Sequence, residues 1–151
     1  MAKDYDPCMH SAEHILNQTM VRMFNKGRSF SNHIEKKKSK CDYHFDRDLS
    51  PQEILEIEET VNTEIRKNHT VKEEYLAREE AEKLYYLKRL PSDTGNEIRI
   101  IKIGDYDACP CSGVHVKNTS EIGEFKIIST GFGNGVLRVR FKLLESNYQN
   151  K

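Results

Sequence analysis

His10 and His14 stand four residues apart at the start of a stretch whose apolar residues recur at helical spacing. On a helix, one turn of rise places such a pair about 6 Å apart on one face. Two imidazole nitrogens so placed can both reach one zinc ion at about 2.0–2.1 Å. Far downstream lies Cys109-Pro-Cys-Ser-Gly-Val-His115, which holds a second pair at the same spacing, Cys111 and His115. Gly113 between them allows the backbone to turn tightly and aim both side chains inward. Neither pair is specific alone. Together they supply one cysteine and three histidines, a normal ligand set for tetrahedral zinc. Most of the chain separates the pairs, so this is no local zinc finger; the ion would tie the first helix to a late loop.

Two other readings of these residues compete. His10-Ser-Ala-Glu-His14 also fits the inverted zincin pattern of a metallopeptidase, with Glu13 as general base. That site wants an acidic third ligand, for which Glu56, Glu58 and Glu59 are available on a helix, and it leaves Cys111 and His115 unexplained. A closed four-ligand set could instead only stabilise a non-catalytic domain. Cys8 and Cys109 lie near the ligands in sequence and read as packing or supporting residues.

The elements that must position these residues follow from pattern. Residues 10 to 25 read as a helix with Ile15, Leu16, Met20, Val21, Met23 and Phe24 on its buried side, ended by Gly27. Residues 40 to 46 alternate, with Cys41, Tyr43 and Phe45 apolar, as in a half-buried strand. Ser50-Pro51-Gln52-Glu53 supplies an N-cap, a proline at the first helical position and a capping-box glutamate. Ile54, Ile57, Val61 and Ile65 then follow at helical spacing. A short strand is expected over 71 to 76, a helix over 78 to 87, a turn over 91 to 96 and a strand over 97 to 103. Residues 124 to 129 and 136 to 144 read as a hairpin joined by the glycine-rich Gly131 to Gly135. The order implies an α+β fold with a mostly antiparallel sheet packed with helices.

The 151 residues suit a single domain over 1–151, with no repeat or long linker. A 36% apolar and 32% charged composition indicates a water-soluble exterior, and no run approaches a membrane span. The opening residues have no apolar signal core, and four cysteines fit a reducing compartment, so a cytoplasmic location is expected. A net charge of zero removes the simplest nucleic-acid signature without excluding a local basic face. Two such faces are legible: Lys36, Lys37 and Lys38, and a strand alternating Arg138, Arg140 and Lys142 against apolar residues. Solvated or edge-protecting charge is the competing explanation for each.

His10-Ser-Ala-Glu-His14 and Cys111-Ser-Gly-Val-His115 resemble the paired motifs of the editing domain of alanyl-tRNA synthetase, shared with threonyl-tRNA synthetase and with free-standing alanyl-tRNA editing proteins. Leu49 to Ile65, with Val61-Asn62, and Ile100 to Phe125 are also similar, in the same order. The resemblance implies the editing-domain fold, a zinc cofactor on His10, His14, Cys111 and His115, and ATP-independent hydrolysis of mischarged aminoacyl-tRNA, with seryl-tRNA(Ala) the expected substrate. The chain length matches the free-standing form. Under this reading Asn17 and Gln18, one turn beyond His14, become pocket residues, and Lys36, Lys37, Lys38, Arg138 and Arg140 become tRNA contacts. Ser112 and Val114 depart from the family's usual glycine and threonine. That leaves the metal ligands intact and the amino-acid specificity open.

Overall fold

The computed structural model describes residues 6–85 and 95–144. Helix α1 spans Pro7–Phe24, one turn longer at its start than its periodicity suggests. Asp6 caps it, accepting from the Met9 N–H at 3.0 Å, and Pro7 occupies the first turn, where its missing N–H costs nothing. Asn25 ends the helix in the left-handed conformation, φ 55°, so Gly27 lies in the loop beyond and does not stop it. Strands β1 (Ser31–His33) and β2 (Ser39–His44) follow.

Helix α2 (Pro51–Arg66) begins with the expected reciprocal capping box: Glu53 N–H donates to Ser50 Oγ, and Ser50 N–H to the Glu53 carboxylate. Next come β3 (Val71–Ala77), α3 (Arg78–Leu84), β4 (Glu97–Ile103) and β5 (Asp107–Pro110). A 3-10 turn at Thr119–Glu121 precedes β6 (Glu124–Gly133) and β7 (Val136–Leu144). Most of the turn expected over 91 to 96 lies outside the described residues. β1 and β5 are too short to show a period in sequence. The hairpin loop is shorter than expected. β6 runs on through Gly131 and Gly133, and only Asn134 and Gly135, φ 52° and 77°, make the turn. Two consecutive left-handed residues give the type I′ geometry that matches strand twist.

The strands form two antiparallel sheets, ordered β1-β2-β7-β6 and β3-β4-β5. The inner face of the larger sheet carries Cys41, Tyr43, Leu137, Val139, Phe141 and Phe125, all packed with Ile15, Leu16 and Met20 of α1 and Ile57 and Val61 of α2. Asn62 fixes α2 to β6 by acting as a substitute strand partner: its amide donates to Phe125 O and accepts from Phe125 N–H. Replacing a missing ladder bond this way keeps a buried backbone group satisfied. The smaller sheet has its own cluster, Ile98 and Ile100 against Ala81 of α3. Its β4–β5 hairpin delivers the Cys111–His115 segment against α1.

Candidate metal centre

The fold brings His10, His14, Cys111 and His115 together, their ligand atoms all within 4.8 Å of one another. Cys111 Sγ lies 3.5 Å from His10 Nε2 and 3.4 Å from His115 Nε2. Sulfur and nitrogen bound to one tetrahedral zinc at ordinary bond lengths stand about 3.5 Å apart. The donor set, its spacing and its chemistry therefore fit that ion.

Two of the three imidazoles are oriented through the other nitrogen. His10 Nδ1 lies 3.1 Å from Val114 O, and His115 Nδ1 lies 2.9 Å from Ser11 Oγ. Ser11 Oγ also accepts from Val116 N–H at 3.1 Å, so one buried hydroxyl locks both the histidine and the backbone after it. His14 Nδ1 is buried with no hydrogen bond, its nearest acid being Asp107 Oδ2 at 3.5 Å. Holding Nδ1 of His10 and of His115 at a polar partner leaves their Nε2 lone pairs for a metal.

Asp107 anchors a second layer. Its carboxylate takes Arg28 Nη1 at 2.7 Å, Arg28 Nη2 at 3.3 Å and Gln18 Nε2 at 2.8 Å. Burial would raise its pKa, but Arg28 and His14 outweigh that and hold it far below the usual carboxylate range. Burial likewise opposes a charged Cys111, yet bonds from His10, His115 and His14 bring its pKa down to about 2. The sulfur is thus a thiolate, the form that binds metal. His115 is lowered to about 4, first by burial and then by the neighbouring histidines, so it is neutral near pH 7. Burial pushes His14 down too, but Glu13, Asp107 and Cys111 more than compensate and raise it.

The loop itself is held by Arg99 of β4. Its Nη1 donates to Cys111 O at 3.0 Å and Gly113 O at 2.7 Å, while Nε pairs with Glu73 at 2.7 Å. Gly113 is required for a reason its turn does not supply. Its φ is not positive, but a Cβ there would stand 2.3 Å from His10 Cε1. The His10 ring packs directly on that glycine.

Other sequence-derived residues fall elsewhere. Asn17 Nδ2 donates to the Glu13 carboxylate and to Glu13 O, and Asn17 Oδ1 accepts from Ser29 N–H. Gln18 bridges Asp107 and Arg22. Both amides are engaged within the chain. Lys36, Lys37 and Lys38 are exposed on the β1–β2 connection. Arg138 and Arg140 alternate with Leu137, Val139 and Phe141, so they sit on the sheet face turned away from α1. Arg138 makes a two-bond ion pair with Asp42, and Arg140 donates to Ser129. Among the described residues no acid joins the ligand cluster, and Glu58 accepts from Ile127 N–H instead. Cys8 donates to Glu121 O and Cys109 to Pro110 O, and neither joins the cluster. Ser11, Arg28, Arg99 and Asp107 escaped sequence reading. Their partners lie 79 to 104 positions away for Arg28 and Ser11, beyond any local pattern.

Residues 98–146, which include Cys111 and His115, match the threonyl and alanyl tRNA synthetase second additional domain. The match extends further in whole sequences. The alanine–tRNA ligase of Methylococcus capsulatus is 31% identical over 132 residues, covering 86% of this chain and 15% of the relative. Those of Coxiella burnetii and Microcystis aeruginosa are 32% and 33% identical with the same coverage. Most of the chain is therefore similar to a segment of alanine–tRNA ligases, and its later part to the second additional domain found in threonyl and alanyl tRNA synthetases. It spans about 15% of the length of these curated relatives. The α+β architecture expected from the order of strands and helices is the one the structure has.

Proposed function

We propose that this editing-type domain holds zinc on His10, His14, Cys111 and His115 and deacylates mischarged tRNA, with seryl-tRNA(Ala) as substrate. The observation that carries the reading is the convergence of the four ligand atoms within 4.8 Å, in a chain related to alanine–tRNA ligases over 86% of its length. Zinc held there would supply Lewis-acid polarisation of the ester carbonyl or of water. The chain's own part is to present four lone pairs at fixed geometry. Ser11, the Val114 carbonyl and Asp107 hold the imidazoles, and Arg99 holds the backbone of Cys111 and Gly113. In the reaction the bond between the acyl carbon and the ribose oxygen breaks. Water adds a hydroxyl to the acyl carbon, and the ribose oxygen takes the proton.

Such a site answers a physical need. An apolar pocket for alanine cannot strongly reject serine, which merely adds a hydroxyl, so a second hydrolytic site is required. On this reading Lys36, Lys37 and Lys38, exposed on the β1–β2 connection, would meet tRNA phosphates, and Arg138 and Arg140 would add a further cationic face beside their bonds to Asp42 and Ser129. Replacing the three lysines by alanine should weaken tRNA binding and flatten its salt dependence.

A second reading is favoured by the ligand count. Four protein ligands close a tetrahedral zinc, whereas catalytic zinc keeps one position open. On that reading the ion only stabilises a tRNA-binding domain. His14→Ala separates the two: the hydrolytic reading expects lost deacylation with tRNA binding largely kept, and a zinc-free yet fully active variant would sink it. Glu13→Gln tests the peptidase alternative, which it should abolish while leaving deacylation far less affected.

A further inference from the structure

Glu13 stands between His10 and His14 on α1, and its side chain is only 6% exposed. Residues three apart share a face of a helix, so its carboxylate reaches the His10 side of the metal centre. Oε1 lies 3.8 Å from His10 Nε2, the nitrogen left for a metal. Glu13 thus borders the ligand cluster without joining it.

The carboxylate is held in this pose from the side away from His10. Asn17 Nδ2 donates to Oε2 and to Glu13 O, and Asn17 Oδ1 accepts from Ser29 N–H at 2.6 Å. A buried carboxylate offers about four lone-pair positions and is costly unless they meet donors. Asn17 supplies a donor to Oε2. Beside Oε1 stands His10 Nε2, which has no proton to give once it binds a metal. Asp107 differs, since its oxygens take Arg28 and Gln18. Glu13 therefore presents an acceptor to the metal centre, matched to a small cation that carries N–H donors.

The substrate proposed above carries such a cation. An aminoacyl ester keeps its α-ammonium group, about 3 Å from its own carbonyl oxygen. A carbonyl brought to the ligand cluster would carry that group to within reach of the cluster's immediate neighbours. Entry is open at His115, which is half-buried and follows the exposed Ser112 and Val114. We infer that Glu13 Oε1 receives the α-ammonium of the aminoacyl group, and that Asn17 positions it. This rests on the editing reading, and the experiment keeps the two apart.

Two CCA trinucleotides test it by calorimetry on the zinc-loaded protein. One ends in a 3′-seryl amide, which resists the hydrolysis that an ester undergoes. The other is the same amide with a hydroxyl in place of the ammonium. The amine should bind about 10–100-fold tighter, the range of a charge-assisted hydrogen bond. Glu13→Gln should remove most of that preference by weakening the amine alone, and in deacylation it should raise KM with kcat nearly kept. If Glu13→Gln fails to fold, Glu13→Asp, which keeps the charge on a shorter arm, should still reduce the preference. A Glu13 that only ties α1 to Ser29 would weaken both trinucleotides alike. Equal binding of the two by the wild type, or a preference that survives Glu13→Gln, overturns the inference and leaves the editing reading standing. A Glu13-dependent preference with no hydrolysis of any aminoacyl-tRNA upholds the inference and overturns the editing reading. Binding of neither trinucleotide overturns the inference, and deacylation then decides the editing reading separately.

Discussion

The hydroxyl of Ser11 and the missing Cβ of Gly113 decide the metal centre as much as its ligands do. Ser11 Oγ is the group facing His115 Nδ1, and it also accepts from Val116 N–H. Ser11→Ala should lower zinc affinity by about 10–100-fold, the usual cost of losing a residue that orients a ligand. Competition against a chromogenic chelator would measure it, and unchanged affinity would show that Ser11 does not orient His115 for the metal. Gly113→Ala should act similarly by a different route, since its Cβ would meet His10 Cε1 at 2.3 Å and force the ring away. Circular dichroism should show the fold retained while affinity falls. The four ligands were legible because a spacing of four residues recurs twice with metal-binding types. Asp107 and Arg28 were not legible. Their ion pair joins positions 79 apart, and nothing in Asp105-Tyr-Asp107 marks which acid turns inward. Gly113 was legible as necessary but for the wrong reason, because the close approach of His10 exists only in the folded chain.

Among the elements, α2 shows local grammar at work. Ser50→Ala should cost about 1 kcal/mol of stability in urea unfolding. Its partner Glu53 is held down to about 2 by Arg47 and by the Ser50 N–H, from an ordinary value of 4.5. A carboxyl whose folded pKa is depressed stabilises fully above its unfolded value and loses that contribution as pH falls through the folded one. The stability gap between the wild type and Glu53→Gln should therefore be present at pH 7 and shrink between pH 4.5 and about 2. A gap that widens on acidification would contradict the capping role. The same grammar, Asp6-Pro7, opens α1, although helical periodicity alone placed its start at His10. The strands divide by length. β7, with nine residues and a strict alternation, is plain in the sequence, whereas β1 and β5 are defined only by the strands they pair with. Arg99 lies on β4, where its alternation with buried isoleucines marks it as outward-facing but cannot reveal that it caps two carbonyls of the ligand loop.

For the whole molecule, an ion on these ligands would cross-link α1 to the segment after β5, closing most of the chain into one loop. Zinc at a thousand times its dissociation constant would add about 4 kcal/mol to the folded state. In a chain of this size that corresponds to a rise of roughly 10 °C in Tm. Chelation should lower Tm by that amount and zinc should restore it; a Tm indifferent to chelator would count against the site. Removal of a wrong amino acid from tRNA by this metal centre is tested by incubating the purified protein, with metal content measured, with seryl-, glycyl- and alanyl-tRNA(Ala) and with seryl-tRNA(Thr). Bound zinc, rapid loss of the ester from seryl-tRNA(Ala) and sparing of alanyl-tRNA(Ala) are expected. Bound zinc with every one of these esters left intact would contradict it.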